Sequence, residues 1–140
     1  MPKNTQLSNA AVNAQGDALA ALLNTGYLRL YTTAQPATAD TALAAQTLLV
    51  EMRFSATAAA ATAAGVINFN AITGANATAT GVAVWFRALK SDGTTVVFDG
   101  SVDVTANTPN LVLNSNSISS GAAVSVTAFT HTLNKSTTGL

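Results

Sequence analysis

The sequence contains no cysteine, only three prolines and few charged residues, since Asp, Glu, Lys and Arg make up 9% of its 140 residues. Without cysteine the chain has no disulfide framework. A chain of this length buries roughly 70% of its unfolded surface, which is enough to form a hydrophobic core. These absences exclude the small disulfide-rich scaffolds and predict one domain with a core of its own.

Basic residues are as scarce as acidic ones, with six of each, so the formal net charge is zero. The six basic residues are scattered along the chain, at Lys3, Arg29, Arg53, Arg87, Lys90 and Lys135. They form no basic stripe that could follow a phosphate backbone, so we expect no nucleic-acid partner. So little charge gives weak repulsion between molecules, which favours a protein packed against other copies or a larger particle.

Long apolar segments are missing as well. No segment reaches the roughly eighteen apolar residues that a membrane-spanning helix needs. The N-terminus is polar and rich in amides, so it lacks the apolar stretch of a secretory signal. The most apolar repetitive run, residues 56–64, contains only alanine and threonine. We therefore expect no membrane association and a protein made in a cytoplasm.

Residues suited to catalysis or metal binding are few, because the chain has one histidine and one glutamate. His131 lies in a predicted strand, no Gly-x-Ser-x-Gly motif accompanies it, and one histidine without cysteine makes no zinc site. The three aspartates in residues 92–103 lack the spacing of a calcium-binding loop, and turns explain their Asp-Gly pairs. Glu51 has Arg53 as a predicted ion-pair partner on its own strand. We expect no enzyme activity, no catalytic residue, no metal and no cofactor.

Alanine and threonine dominate the chain, with 29 and 21 residues, so the core must depend on few large side chains. Apolar residues in 12–23 recur at helical spacing and predict the one clear helix, at residues 8–24. Ser8 is the predicted N-cap, and Gly26 is the predicted residue just beyond the helix end. Gly16, in the middle of this segment, predicts a weak point or a break.

From Tyr27 onwards the apolar residues follow the period of two that is typical of β-strands. The clearest predicted strands are residues 27–32, residues 47–54 and the dense apolar run at 82–86. The pair Asp92-Gly93 predicts a tight hairpin turn. About seven or eight short strands separated by turn residues predict an all-β fold, an antiparallel sandwich or barrel.

These patterns divide the chain into three parts. Residues 1–26 are predicted to form an N-terminal helical arm, which either covers a face of the sheet or reaches a partner. Residues 27–133 are predicted to form the β-sandwich body. Residues 134–140 are polar and are expected to form a loose C-terminal tail.

Tyrosine and arginine alternate with leucine in the stretch YLRLY, so one face of this predicted strand carries Tyr27, Arg29 and Tyr31. Tyrosine and arginine are typical anchors of protein interfaces. The alternative is a half-buried edge strand with solvated tyrosine hydroxyls. Leu7 and Val12 of the helical arm complete the set of candidate interface residues.

Several stretches together resemble one group of tailed-phage virion proteins. They are YLRLY (27–31), QPATADTAL (35–43), QTLLVEMRF (46–54), ATGVAVWFR (79–87), SDGTT (91–95) and LVLNSNSISSGAAVSV (111–126). By these stretches, which cover most of the chain, it resembles the capsid cement, or decoration, proteins of the Bordetella phage type. The resemblance implies a jelly-roll-like β protein that forms a homodimer and clamps neighbouring capsomers on the outer surface of the virion. Its partner would be the major capsid protein, and the resemblance supplies no active-site residues.

Two other classes of function fit the same composition. A tail or baseplate structural protein would differ from a shell protein only in its place in the virion. A β-sandwich carbohydrate-binding module would stack exposed aromatic rings on sugars, and here Tyr27, Tyr31 and Trp85 would be the candidates. The chain has only five Phe, two Tyr and one Trp to divide between such a surface and the core.

Overall fold

The computed structural model describes residues 4–103 and 111–136, which form one helix followed by eleven strands. The fold is mostly β with a single N-terminal helix, as the sequence predicted. The elements are α1 (Asn9–Leu22), β1 (Tyr27–Tyr31), β2 (Leu48–Arg53), β3 (Val66–Asn68), β4 (Ala75–Asn76), β5 (Gly81–Val82), β6 (Trp85–Leu89), β7 (Val96–Asp103), β8 (Leu111–Leu113), β9 (Ser117–Ile118), β10 (Ala123–Val124) and β11 (Val126–Thr132).

Seven of the strands form one mixed sheet in the order β2-β1-β6-β7-β8-β11-β3. Its neighbouring strands are antiparallel, except that β7 and β8 run parallel. The sequence predicted antiparallel strands only, because a side-chain period of two is the same for both strand directions. The remaining strands pair in two small sheets, β10 with β4 and β5 with β9.

Residues 69–78 link the two ends of the seven-stranded sheet. At the start of this segment the Phe69 N–H donates to the carbonyl of Phe129 in β11, at 3.2 Å. Further along, the Thr73 N–H donates to the carbonyl of Arg53 in β2, at 3.0 Å. The segment is thus hydrogen-bonded to β11 at its start and to β2 further along. Because it joins both ends of the large sheet, the sheet curls around its inner face into a sandwich-like body.

The inner face is filled by a phenylalanine cluster that contains all five phenylalanines of the chain: Phe54, Phe69, Phe86, Phe98 and Phe129. The ring centroid of Phe129 is 4.3 Å from that of Phe69 and 5.1 Å from that of Phe86. Each such aromatic pair stabilises a protein by about 0.5–1.5 kcal/mol beyond the burial of its surface. Fully buried leucines and Met52 pack on the same core, which therefore joins strands from both ends of the sheet.

Helix α1 begins and ends close to the predicted positions, at Asn9 and Leu22. Ser8 is its N-cap, and its hydroxyl accepts a backbone N–H of the first turn at 3.1 Å. Beyond the helix the left-handed residue is Thr25, with φ 56°. Gly26 has a different role, because a Cβ there would lie 2.3 Å from the carbonyl oxygen of Leu89 in β6.

Polar side chains of α1 bind the loop of alanines and threonines that precedes β3. Asp17 Oδ1 accepts the backbone N–H of Thr62 at 2.8 Å, and Asn13 Oδ1 accepts that of Gly65 at 3.0 Å. The hydrogen bond from Thr62 lowers the pKa of the Asp17 carboxyl. The helix therefore packs against its own chain through this loop, and the role of the N-terminal segment as an arm stays a prediction.

Gly16 lies buried where α1 meets this loop. A Cβ at Gly16 would lie 2.4 Å from Thr62 Oγ1 and 2.9 Å from Thr62 Cβ. Thr62 is itself 6% exposed and β-branched, so it has little room to move. The helix is continuous through Gly16, and the break predicted there is wrong. The glycine allows the helix to approach the loop closely.

We predict that Gly16→Ala destabilises the protein by about 1–3 kcal/mol, because the added methyl group collides with Thr62. Helix propensity alone predicts the opposite, a gain of about 1 kcal/mol. Urea unfolding followed by circular dichroism measures the difference. As a control, Ala14→Gly at an exposed position in the middle of the helix should cost about 1 kcal/mol through propensity only. A stabilised Gly16→Ala variant would contradict the close packing.

Residues 6–9 and residues 135–136 lie side by side. The Leu7 N–H donates to the carbonyl of Lys135 at 2.8 Å, and Lys135 Nζ donates to Asn9 Oδ1 at 2.6 Å. Lys135 and Ser136 of the predicted loose tail are thus paired with residues 6–9, and residues 137–140 of that tail lie outside the described residues. Among the residues that the structure describes, no helix is long and apolar enough to cross a membrane.

Candidate protein interface

A row of four charged residues crosses the outer face of the sheet. Glu51 of β2, Arg29 of β1, Arg87 of β6 and Asp99 of β7 lie opposite one another in register. Arg29 Nε donates to Glu51 Oε2 at 2.6 Å, and Arg87 Nε donates to Asp99 Oδ1 at 2.8 Å. The row divides the outer face into two ends that differ in what covers them.

One end is covered by residues 32–47 of the same chain. Tyr31 and Trp85 stack there with ring centroids 4.7 Å apart. The carbonyl of Thr32 accepts the indole N–H of Trp85 at 3.3 Å, and the carbonyl of Thr41 accepts Arg87 Nη2 at 3.0 Å. Trp85 is consequently 0% exposed and Tyr31 3% exposed. Burial also raises the pKa of the Tyr31 hydroxyl.

The ion pair between Arg87 and Asp99 belongs to this covered end. Two nitrogens of the guanidinium bind the two carboxylate oxygens, at 2.8 and 2.9 Å, and the side chains are only 6% and 3% exposed. The hydrogen bonding to Asp99 raises the pKa of Arg87. Removing one partner of such a pair leaves a buried charge without compensation, so the pair fixes β6 against β7.

We predict that Asp99→Asn lowers the free energy of unfolding by about 3–5 kcal/mol, because Arg87 then stays buried without a counter-charge. The matched control is Glu51→Gln, which removes the more exposed partner of Arg29 and should cost about 1 kcal/mol or less. Both changes keep the size of the side chain. Urea denaturation measures both, and equal effects of the two variants would contradict the difference in burial.

The opposite end of the outer face is open. The guanidinium carbon of Arg53 lies over the ring of Tyr27, 4.3 Å from its centroid, and that of Arg29 lies 5.6 Å away. Arg53 Nη2 also donates to the carbonyl of Thr25 at 2.7 Å. The hairpin turn borders the same group, because a Cβ at Gly93 would lie 3.5 Å from Tyr27 Cε2. We call Tyr27, Arg29 and Arg53 the Tyr27 patch.

The structure separates the five candidate interface residues. Tyr27 and Arg29 lie together on the Tyr27 patch, where both are half-buried. Tyr31 and Val12 are buried against their own chain, so in this structure neither offers a surface to a partner. Leu7 is half-buried beside the C-terminal segment. Tyr27 and Arg29 stay predicted interface residues.

Arg53 is the member of the patch that the sequence did not assign to an interface. Its predicted ion pair with Glu51 is replaced in the structure by the pair between Glu51 and Arg29. The register explains the difference, because Arg53 lies directly opposite Tyr27 while Glu51 lies opposite Arg29. Cross-strand neighbours lie closer together than residues two apart on one strand. Assigning Arg53 to the patch requires the register of β1 against β2, which cannot be read from a single stretch of the sequence.

Residues suited to catalysis or metal binding lie apart from one another. In residues 4–103 and 111–136 no three His, Cys, Asp or Glu side chains gather where they could hold a metal ion. His131 stacks on Phe98 with ring centroids 5.1 Å apart, and burial lowers its pKa. Asp92 caps the hairpin turn, where hydrogen bonds from Thr95 and Thr94 hold its pKa well below the usual range.

A groove of about 200 Å³ lies between α1 and the loop that precedes β3. Its lining is mainly alanine, with Asp17, Asn24 and Thr57 as the polar residues. The Oδ1 of Asp17 and the Oδ1 of Asn24 accept loop N–H groups. The groove is therefore part of the helix packing, and the Tyr27 patch is the more prominent candidate for binding.

Comparison with known proteins adds no assignment, since no family model, no curated protein and no solved structure matches the chain.

Proposed function

We propose that the chain is a structural virion protein that binds the outside of a tailed-phage capsid and stabilises it by bridging neighbouring capsomers. The observation that carries the proposal is the open end of the outer face. There a tyrosine ring lies under two guanidinium groups on a sheet whose neighbouring end is fixed by a buried ion pair. Tyrosine and arginine held in place on a rigid surface are the features of an interface anchor.

The composition and the resemblance of the sequence to phage cement proteins support the same proposal. Binding to a capsid lattice removes water from both surfaces, and a chain of which only 9% of the residues are charged has few strongly hydrated groups to desolvate. A lattice offers many identical sites, so modest single contacts add up when a homodimer bridges two of them. The proposed partners are therefore the major capsid protein and a second copy of the chain.

The carbohydrate-binding alternative receives less support from the geometry. Its three candidate rings are Tyr27, Tyr31 and Trp85, and two of them stack on each other beneath residues 32–47. The third, Tyr27, is half-buried, and the guanidinium of Arg53 lies over its ring. A tail or baseplate protein would present the same surface as a capsid protein, so only the binding partner separates these two proposals.

We predict that the full chain co-sediments with expanded phage heads that lack decoration protein. Binding should saturate at a fixed number of copies per head, and saturated heads should release their DNA at a higher temperature than bare heads. Heads that are already decorated are the control, because their sites are occupied. Binding to isolated tails with none to heads would overturn the proposal and favour the tail alternative. Sedimentation velocity of the free chain should show a dimer.

A further inference from the structure

Arg53 forms no ion pair with a carboxylate within the part of the chain that the structure describes. Its nearest acidic neighbour in sequence, Glu51, is bound to Arg29 at 2.6 Å. The hydrogen bond of Arg53 goes to the neutral carbonyl of Thr25, at 2.7 Å. The Tyr27 patch with Glu51 therefore contains two positive charges and one negative charge, and Asp92 of the bordering hairpin turn accepts hydrogen bonds from Thr94 and Thr95.

Arg53 is also held in one orientation although it is exposed. The Tyr27 ring supports one side of its guanidinium plane at 4.3 Å, and Thr25 binds Nη2. An arginine fixed in this way loses little side-chain entropy when it binds a ligand. A guanidinium group presents five N–H donors in a planar fork that matches the two oxygens of a carboxylate.

The side chain of Arg53 is exposed, so a carboxylate can reach its guanidinium group. Gly93 borders the patch without a side chain, at φ 71°, and Arg29 is kept in place by its ion pair with Glu51. A single guanidinium group without an ion-pair partner fits one carboxylate, whereas binding of a nucleic-acid backbone needs many basic residues in a row. Tyr27 is half-buried, and its ring holds the guanidinium of Arg53 in place.

We infer that the Tyr27 patch binds a carboxylate group in an acidic segment of a partner protein, with Arg53 as the donor and Tyr27 as the ring that holds Arg53 in place. The inference rests on the proposed function in one respect, which is that this segment belongs to the major capsid protein. The carboxylate chemistry itself follows from the charge and the geometry of the patch.

The first test uses the free chain and does not depend on phage heads. We titrate it with a hexaglutamate peptide, with a neutral hexaglutamine peptide and with inorganic phosphate, and follow the Nε–Hε signal of Arg53 and the ring signals of Tyr27 by NMR. The expected result is a saturable shift with hexaglutamate and none with hexaglutamine. Equal affinity for phosphate, or no shift with hexaglutamate, would overturn the inference.

The second test measures binding of variants to heads. Arg53→Gln is expected to bind about tenfold or more weakly and to show a smaller dependence on salt. Lys135→Gln is the charge-matched control outside the patch and should bind like the wild type. Arg53→Lys keeps the charge and loses the planar fork, so it should lie between the two. Urea unfolding of each variant confirms that the fold is intact.

The two tests separate this inference from the proposed function. If the wild type binds heads and Arg53→Gln binds equally well, the function stands and the inference fails. If hexaglutamate binds the patch but heads do not bind the chain, the carboxylate site stands and the capsid partner is wrong.

Discussion

Five phenylalanine rings packed on one face of a curled sheet are the contact on which the other features of this fold depend. The chain is rich in alanine and threonine and has few large apolar side chains with which to fill a core. The phenylalanine cluster gathers side chains from β6, β7 and β11 and from the ends of β2 and β3. Strands at opposite ends of the sheet thereby share one core, which holds the sheet in its curled form.

Because the inner face of the sheet is filled by the core, only its outer face is left for binding. Because the inner face of the sheet packs on the phenylalanine cluster, the outer face of β2, β1, β6 and β7 is a stable surface. Part of this surface is used for the fold itself, because residues 32–47 bury Trp85, Tyr31 and the ion pair of Arg87. The remaining part carries Tyr27 and Arg53, whose contacts orient them without burying them. This division is what makes the open end a candidate binding surface.

Features that depend on neighbouring residues in sequence were predictable. Ser8 marked the start of the helix, Asp92-Gly93 marked the hairpin, and alternation located β1 and β2 within one or two residues. Each of these is encoded in a stretch of a few residues, by a capping side chain, a turn or a periodic pattern. The all-β fold with one helix followed from them.

Features that depend on long-range register were not predictable in the same way. The parallel pairing of β7 with β8 requires knowledge of which strands become neighbours. The exchange of ion-pair partners, by which Glu51 binds Arg29 and leaves Arg53 to Tyr27, requires the register of β1 against β2. Gly16 was interpreted as a weakness of the helix, although its reason is the close approach of Thr62 from a distant loop.

The central claim is that the phenylalanine cluster makes the curled sheet one cooperative unit. Native-state hydrogen exchange of the free protein at low denaturant tests this claim most directly, because it gives the opening free energy of each strand. The account predicts that the most protected amides of β1 and β6 and those of β11 and β3 share one opening free energy, equal to that of global unfolding. Exchange of β11 and β3 through a separate opening of much lower free energy would contradict it.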